Sequence, residues 1–136
     1  DQGKTLVVTT QYVGEAAYCD QVAVMRNGRL VTVDTPAGLR RRAMGGEALD
    51  IEVDRSRVAE VQHFLESQPQ VKRSERAPEN PARLRVFVDD AGRELPLLLA
   101  ALMSQKGITP SVAQPYLPPF DEVFVRLIQA SEAAQA

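Results

Sequence analysis

Few side chains in this 136-residue chain have a type and a setting suited to reaction chemistry. Gly3-Lys4-Thr5 has the look of a phosphate-binding loop. Such a loop needs a glycine five residues before its Gly-Lys pair and a helix after it, and here a strand-like run follows. Cys19 and His63 are the sole cysteine and the sole histidine. No internal disulfide can form, which fits a reducing compartment, and a four-ligand Cys/His zinc site is ruled out by count. His63 falls opposite the apolar face of its helix at about 100° per residue and reads as a solvated side chain. Cys19 has no evident basic neighbour to activate it, so packing is its expected role. Asp89-Asp90 precede a helix and read as a cap rather than a metal site. Arg40-Arg41-Arg42 end a helix, where cations interact well with its dipole; the same run would also suit lipid headgroups or an acidic partner. No nucleophile–base pair stands out, and no activity is expected of these residues by themselves.

Composition narrows the classes further. At 44% hydrophobic and 25% charged residues the chain is an ordinary globular protein. A net charge of −2 and 5% aromatics without Trp leave neither the basic field nor the stacking platform of a nucleic-acid binder. The longest apolar run, Leu95–Met103, is too short to span a membrane and contains Pro96. There is no signal peptide and no initiator Met, so residue 1 need not be the natural N-terminus.

The elements that must position these residues follow from periodicity. "TLVVTT" (5–10) is apolar and β-branched throughout, the pattern of a strand buried on both faces. "GEAAYCD" (14–20) predicts a short helix. Asn27-Gly28 between two apolar runs predicts a hairpin with a type I′ turn. Thr35-Pro36 places an N-cap before a proline at the first helical position, and that helix should stop near Gly45-Gly46. Beyond those glycines "LDIEV" (49–53) alternates as a strand. Ser56 then opens a helix whose apolar face is Val58, Val61, Phe64 and Leu65. A weak strand near Val71 and a strong one, "LRVFV" (84–88), come next. Leu95, Leu98, Leu99, Leu102 and Met103 predict a core-facing helix with Pro96 in its first turn and Gly107 at its end. A last strand, 108–114, carries Pro110. The order is β-α-β-β-α-β, the split βαβ of ferredoxin-like folds. Its first and third strands should be central, and Pro110 suits an edge. A further helix from Phe120 to about Ser131 carries the stripe Phe120, Val123, Phe124, Leu127 and Ile128.

Residues 4–42, "KTLVVTTQYVGEAAYCDQVAVMRNGRLVTVDTPAGLRRR", closely resemble the end of the nucleotide-binding domain of ABC transporters. The matching positions are Thr10-Gln11, Glu15-Ala16, Cys19-Asp20, Gly28-Arg29, Thr35-Pro36 and Leu39. "PPFDEVF" (118–124) resembles the "P-S-L-E-D-V-F" helix that closes drug-export members, with Pro119 where a Ser cap would stand. The resemblance implies an α+β protein in two parts. Residues 1–45 would be the C-terminal remnant of the nucleotide-binding domain, a strand-helix-hairpin-helix unit. Residues 46–136 would be a ferredoxin-like accessory domain with a terminal helix.

The same resemblance implies a longer parent ATPase that uses ATP and Mg to drive export through a membrane permease. The phosphate loop, Walker B carboxylates and signature motif would lie upstream, leaving no cofactor and no activity in this stretch. Gln11 falls on the family's switch position, where most members have His. Its amide donates a hydrogen bond to phosphate but takes up no proton at neutral pH; Gln also occurs there in the daunorubicin-resistance branch. The implied partners are the upstream nucleotide-binding domain, the permease and a second copy, at the cytoplasmic face of the membrane and without nucleic acid. Self-association through residues 1–34 is expected from the unpaired strand 5–10. The later domain would regulate, dock or dimerise. A different class, a ferredoxin-like module sensing a small molecule, offers only Gly92 and Gly107 as ligand-approach glycines.

Overall fold

A computed structural model describes residues 2–135. Two compact units emerge, one from residues 1–39 with 119–136 and the other from residues 40–118. Among the described residues the fold is α+β, with a two-stranded and a four-stranded antiparallel sheet and four α-helices.

In the first unit, residues 5–10 are not a strand. The segment is exposed, with Leu6 and Val7 each 86% accessible. A strand needs a neighbouring backbone to complete its ladder, and no described strand pairs with this segment. The expected helix over 14–20 is a 3-10 turn, Val13–Tyr18, with Cys19 donating its amide to Ala16. The hairpin is as read: β1 (Val22–Arg26) and β2 (Arg29–Asp34) flank Asn27 and Gly28, whose φ values of 52° and 74° make the type I′ turn. In α1 (Pro36–Met44) the Thr35 hydroxyl accepts from the Gly38 amide at 3.0 Å. A Cβ on Gly38 would lie 2.4 Å from the Asp34 carboxylate, which would have to swing aside. The unit also holds α4 (Phe120–Gln135), whose Phe120, Val123 and Leu127 are buried.

The second unit holds the larger core. Its strands β3 (Glu47–Glu52), β4 (Arg73–Arg76), β5 (Arg83–Val88) and β6 (Val112–Tyr116) lie in the order β4-β5-β3-β6. The first and third strands of the unit are therefore central. Leu49, Ile51, Leu84 and Val86 meet Val58, Val61 and Leu65 of α2 (Val58–Glu66) and Leu98 and Leu102 of α3 (Ala91–Lys106) in one buried cluster. Helix α2 is entered through a 3-10 turn, Arg55–Arg57, which Asp54 caps and which contains Ser56. The residue at the N-cap of α2 itself is Arg57, with no side-chain cap bond. The Asp54 carboxylate accepts the Ser56 amide and hydroxyl, and the hydroxyl bond foremost lowers its pKa.

Helix α3 is rotated from the phase expected. Leu98 and Leu102 are fully buried and Leu99 half-buried, while Met103 is 52% exposed. Its buried stripe runs Ala91, Leu98, Leu102, with Leu95 and Ala101 partly buried beside it. Asp90 caps it by accepting the Arg93 amide, so it starts at Ala91 and Pro96 falls in the second turn instead of the first. The amide missing at Pro96 would have met the carbonyl of Gly92. Strand β4 starts two residues after Val71, and β6 starts at Val112 instead of 108, leaving Pro110 outside it, and runs past 114 to include Pro115. Both are edge strands, where a missing ladder donor is tolerated.

Candidate functional site

Gln11, the residue singled out from sequence, is exposed and sits in a bend between the extended segment and the 3-10 turn. The Thr10 hydroxyl accepts the Tyr12 amide at 2.9 Å across it, and the Tyr12 carbonyl accepts the Glu15 amide at 3.0 Å. The backbone of Gln11 is thus clasped to the start of the turn while its side chain is left for solvent. Cys19 is half-buried and His63 exposed, in keeping with packing and solvated roles. Among the described residues no group of three or more His, Cys, Asp and Glu side chains is placed to hold a metal ion.

The structure gathers a second set of polar residues that periodicity did not single out. Strand alternation turns Ala48, Asp50 and Glu52 of β3 away from the helices, and register sets Phe87, Arg85 and Arg83 of β5 opposite them. Asp50 and Arg85 are only 3% and 2% accessible. The Arg85 Nε donates to Asp50 Oδ1 at 3.0 Å and its Nη2 to Glu79 Oε1 at 2.7 Å. Its guanidinium stacks on the Tyr116 ring at 3.4 Å from the centroid. Burial works against the charge of Arg85, but its hydrogen bonds to Asp50 and Glu79 outweigh this and raise its pKa above the ordinary value. Next in register, Arg83 donates to Glu52 at 2.8 Å, and this bond raises its pKa. Arg73 stacks on Phe87 at 3.7 Å, with Met44 and Ala48 in the same small apolar cluster.

Chemically this face is a satisfied ion-pair ladder. Each carboxylate is tied to a guanidinium, so none is poised as a base, and arginine holds its proton at any working pH. What the ladder does is set register. A one-residue slip of β5 on β3 would turn Asp50 or Arg85 into the helix-covered core, and a two-residue slip would break the pairing. Two facing charge alternations, Asp50-x-Glu52 and Arg83-x-Arg85, were the available signal in the sequence.

Gly45 and Gly46 join α1 to this sheet. Both have positive φ, 71° and 141°, and the Gly46 amide reaches back to the Arg41 carbonyl at 2.9 Å to close the helix. A Cβ on Gly46 would lie 2.4 Å from the Val88 carbonyl oxygen. Arg41 pairs with Glu47 at 3.2 Å, Lys72 with Asp89 at 2.6 Å, and Glu47 also accepts the Ala91 amide at 2.8 Å.

Comparison with known proteins finds similarity to ATP-binding proteins of ABC transporters. It is 29% identical over 127 residues to the daunorubicin resistance ATP-binding protein DrrA2 of Streptomyces coeruleorubidus, covering 92% of this chain and 38% of that protein. It is 34% identical over 50 residues to the probable multidrug ABC transporter ATP-binding protein YbhF of Escherichia coli, covering 37% of this chain and 9% of the relative. The Shigella flexneri YbhF matches equally. The chain thus spans less than two thirds of the length of these curated relatives. No protein-family model matches it. Among the described residues no helix is long and apolar enough to cross a membrane.

Proposed function

We propose that this chain is the C-terminal portion of the ATP-binding subunit of an ABC exporter. The observation that carries the reading is the alignment with the daunorubicin resistance protein, which runs through 92% of the chain and so through both parts assigned from sequence. In this reading residues 1–45 are the end of a nucleotide-binding domain and residues 46–136 an accessory domain. The antiparallel order β6-β3-β5-β4 supports a ferredoxin-like arrangement for the latter. ATP and Mg would be held by segments of the longer protein, with Gln11 donating its amide to the terminal phosphate. A membrane permease and a second copy are the partners, at the cytoplasmic face of the membrane. The accessory domain serves regulation, docking or dimerisation.

Exposed Leu6, Val7 and Val8 support the same reading, because an apolar β-branched segment gains stability only when another sheet covers it. The test is to express the longer reading frame and measure ATP hydrolysis with and without Gln11→Ala. Hydrolysis that falls at least about tenfold, as expected for losing a group that stabilises developing phosphate charge, supports the reading. The 136-residue chain alone should show no saturable MgATP binding by calorimetry. Micromolar binding by the isolated chain, or an upstream frame without a GxxxxGK[ST] loop, would overturn the proposal.

A further inference from the structure

The terminal helix and the segment that follows Gln11 belong to the same unit and touch. Helix α4 packs on the 3-10 turn Val13–Tyr18. Val123 and Leu127 on α4 are buried, and Val13, Ala16 and Ala17 on the turn are half-buried. A second tie runs farther along the helix, where the Arg26 guanidinium at the end of β1 pairs with Glu132. The turn holds itself by two short-range backbone bonds, Glu15 to Tyr12 and Cys19 to Ala16. So short an element is not stable by itself, and its placement depends on what it packs against.

From this geometry we infer that α4 is a positioning element for Gln11, acting through the 3-10 turn. The lever is short. Gln11 lies two residues before Val13, a reach of at most about 7 Å, and the Thr10–Tyr12 hydrogen bond fastens its backbone to the turn. A displacement of α4 is therefore passed to Gln11 with little slack. The helix lies more than a hundred residues away in sequence, after the whole four-stranded unit. Whatever binds or strains the later unit has, in α4, a covalent route to this position. The inference rests on the switch reading of Gln11, and its experiment separates the two.

The first measurement is amide hydrogen exchange on the 136-residue chain. Leu127→Ala should raise exchange at residues 13–19 about tenfold while residues 47–52 and 83–88 keep their protection. If Leu127→Ala loosens both regions together, Glu132→Ala decides; it removes only the ion pair and should raise exchange at 13–19 by about threefold. Unchanged exchange at 13–19 in Glu132→Ala, or in a folded Leu127→Ala, overturns the inference. The second measurement is ATP turnover in the longer protein. Arg26→Glu should lower kcat with KM for ATP unaltered, and Arg26→Glu combined with Glu132→Arg should restore it. A lowered kcat that the double exchange does not restore also overturns the inference. Normal turnover in Gln11→Ala would instead sink the switch reading, leaving the mechanical contact as measured by exchange.

Discussion

Leu98 and Leu6 are the same residue in opposite circumstances. The first sits between helix and sheet with no accessible surface; the second is 86% exposed in an extended segment. The contrast holds for their regions. In residues 40–118 the strands have neighbours, the helices cover one face of the sheet, and an ion-pair ladder occupies the other. In residues 5–34 the exposed large apolar side chains are Leu6, Val7, Val8, Tyr12, Tyr18, Met25, Leu30 and Val33. Hairpin register sets Met25 opposite Leu30 and Ala23 opposite Val33, so one whole face of the hairpin is apolar and uncovered. Both regions are apolar enough to fold, but only one has brought its own partners. Composition measures the supply of apolar surface; whether that surface is buried depends on which other strands are present.

The sharpest way to test the contrast is to break the later region where it has most to lose. Arg85→Ala leaves the buried Asp50 carboxylate with only the 3.8 Å ion pair to Arg83 and should cost about 3–5 kcal/mol in denaturant unfolding. Exchanging both partners for apolar residues, Asp50→Leu with Arg85→Met, should recover much of that loss. Leu98→Ala should cost about 2–5 kcal/mol, while Met103→Ala on the outer face stays within about 0.5 kcal/mol. Equal effects would mean that the burial assigned to α3 is out of phase. Gly46→Ala meets both the Val88 carbonyl and a positive φ, and should cost about 1–3 kcal/mol or more.

The first region should respond in the opposite way. Leu6→Ser with Val7→Ser should change stability by no more than about 0.5 kcal/mol, since neither side chain is buried. The same pair should reduce concentration-dependent self-association in light scattering, because it removes an apolar segment with unpaired backbone groups. Association that persists unchanged would place the interface elsewhere. The smallest effect concerns pH. A backbone N–H and the Arg85 guanidinium hold the Glu79 carboxyl below its ordinary value of 4.5. Its stabilisation is therefore complete above pH 4.5 and is lost as pH falls through the lower folded value. Glu79→Gln should flatten the acid limb of a stability–pH curve, and an unaltered limb would assign that loss to other carboxylates.

Much of the fold was legible because local chemistry decides it. Asn27-Gly28 imposes the hairpin, Thr35-Pro36 starts α1, Gly45-Gly46 stops it, and strand alternation assigns one face of β3 and β5 to the core. These depend on φ preference, capping and period, which a residue carries wherever it stands. The resemblance to ABC ATP-binding proteins was likewise carried by residue identities alone, and relatives of that kind are what comparison returned.

Other features belong to tertiary structure. Residues 5–10 have the composition of a buried strand and are not one, since a strand exists only by pairing with another. The phase of α3 was ambiguous because leucines fill more than one of its faces; only the surface of the sheet beneath it selects Leu98 and Leu102 over Met103. Asp50 and Arg85 stand 35 residues apart, and their pairing follows from the register of β3 on β5. The switch position of Gln11 is what the family resemblance implies, whereas the packing of α4 on the turn that follows Gln11 brings in a helix that begins more than a hundred residues later. Periodicity reports which side of an element is apolar. Which distant element covers that side is settled by packing, where burial of the whole surface outweighs any local preference.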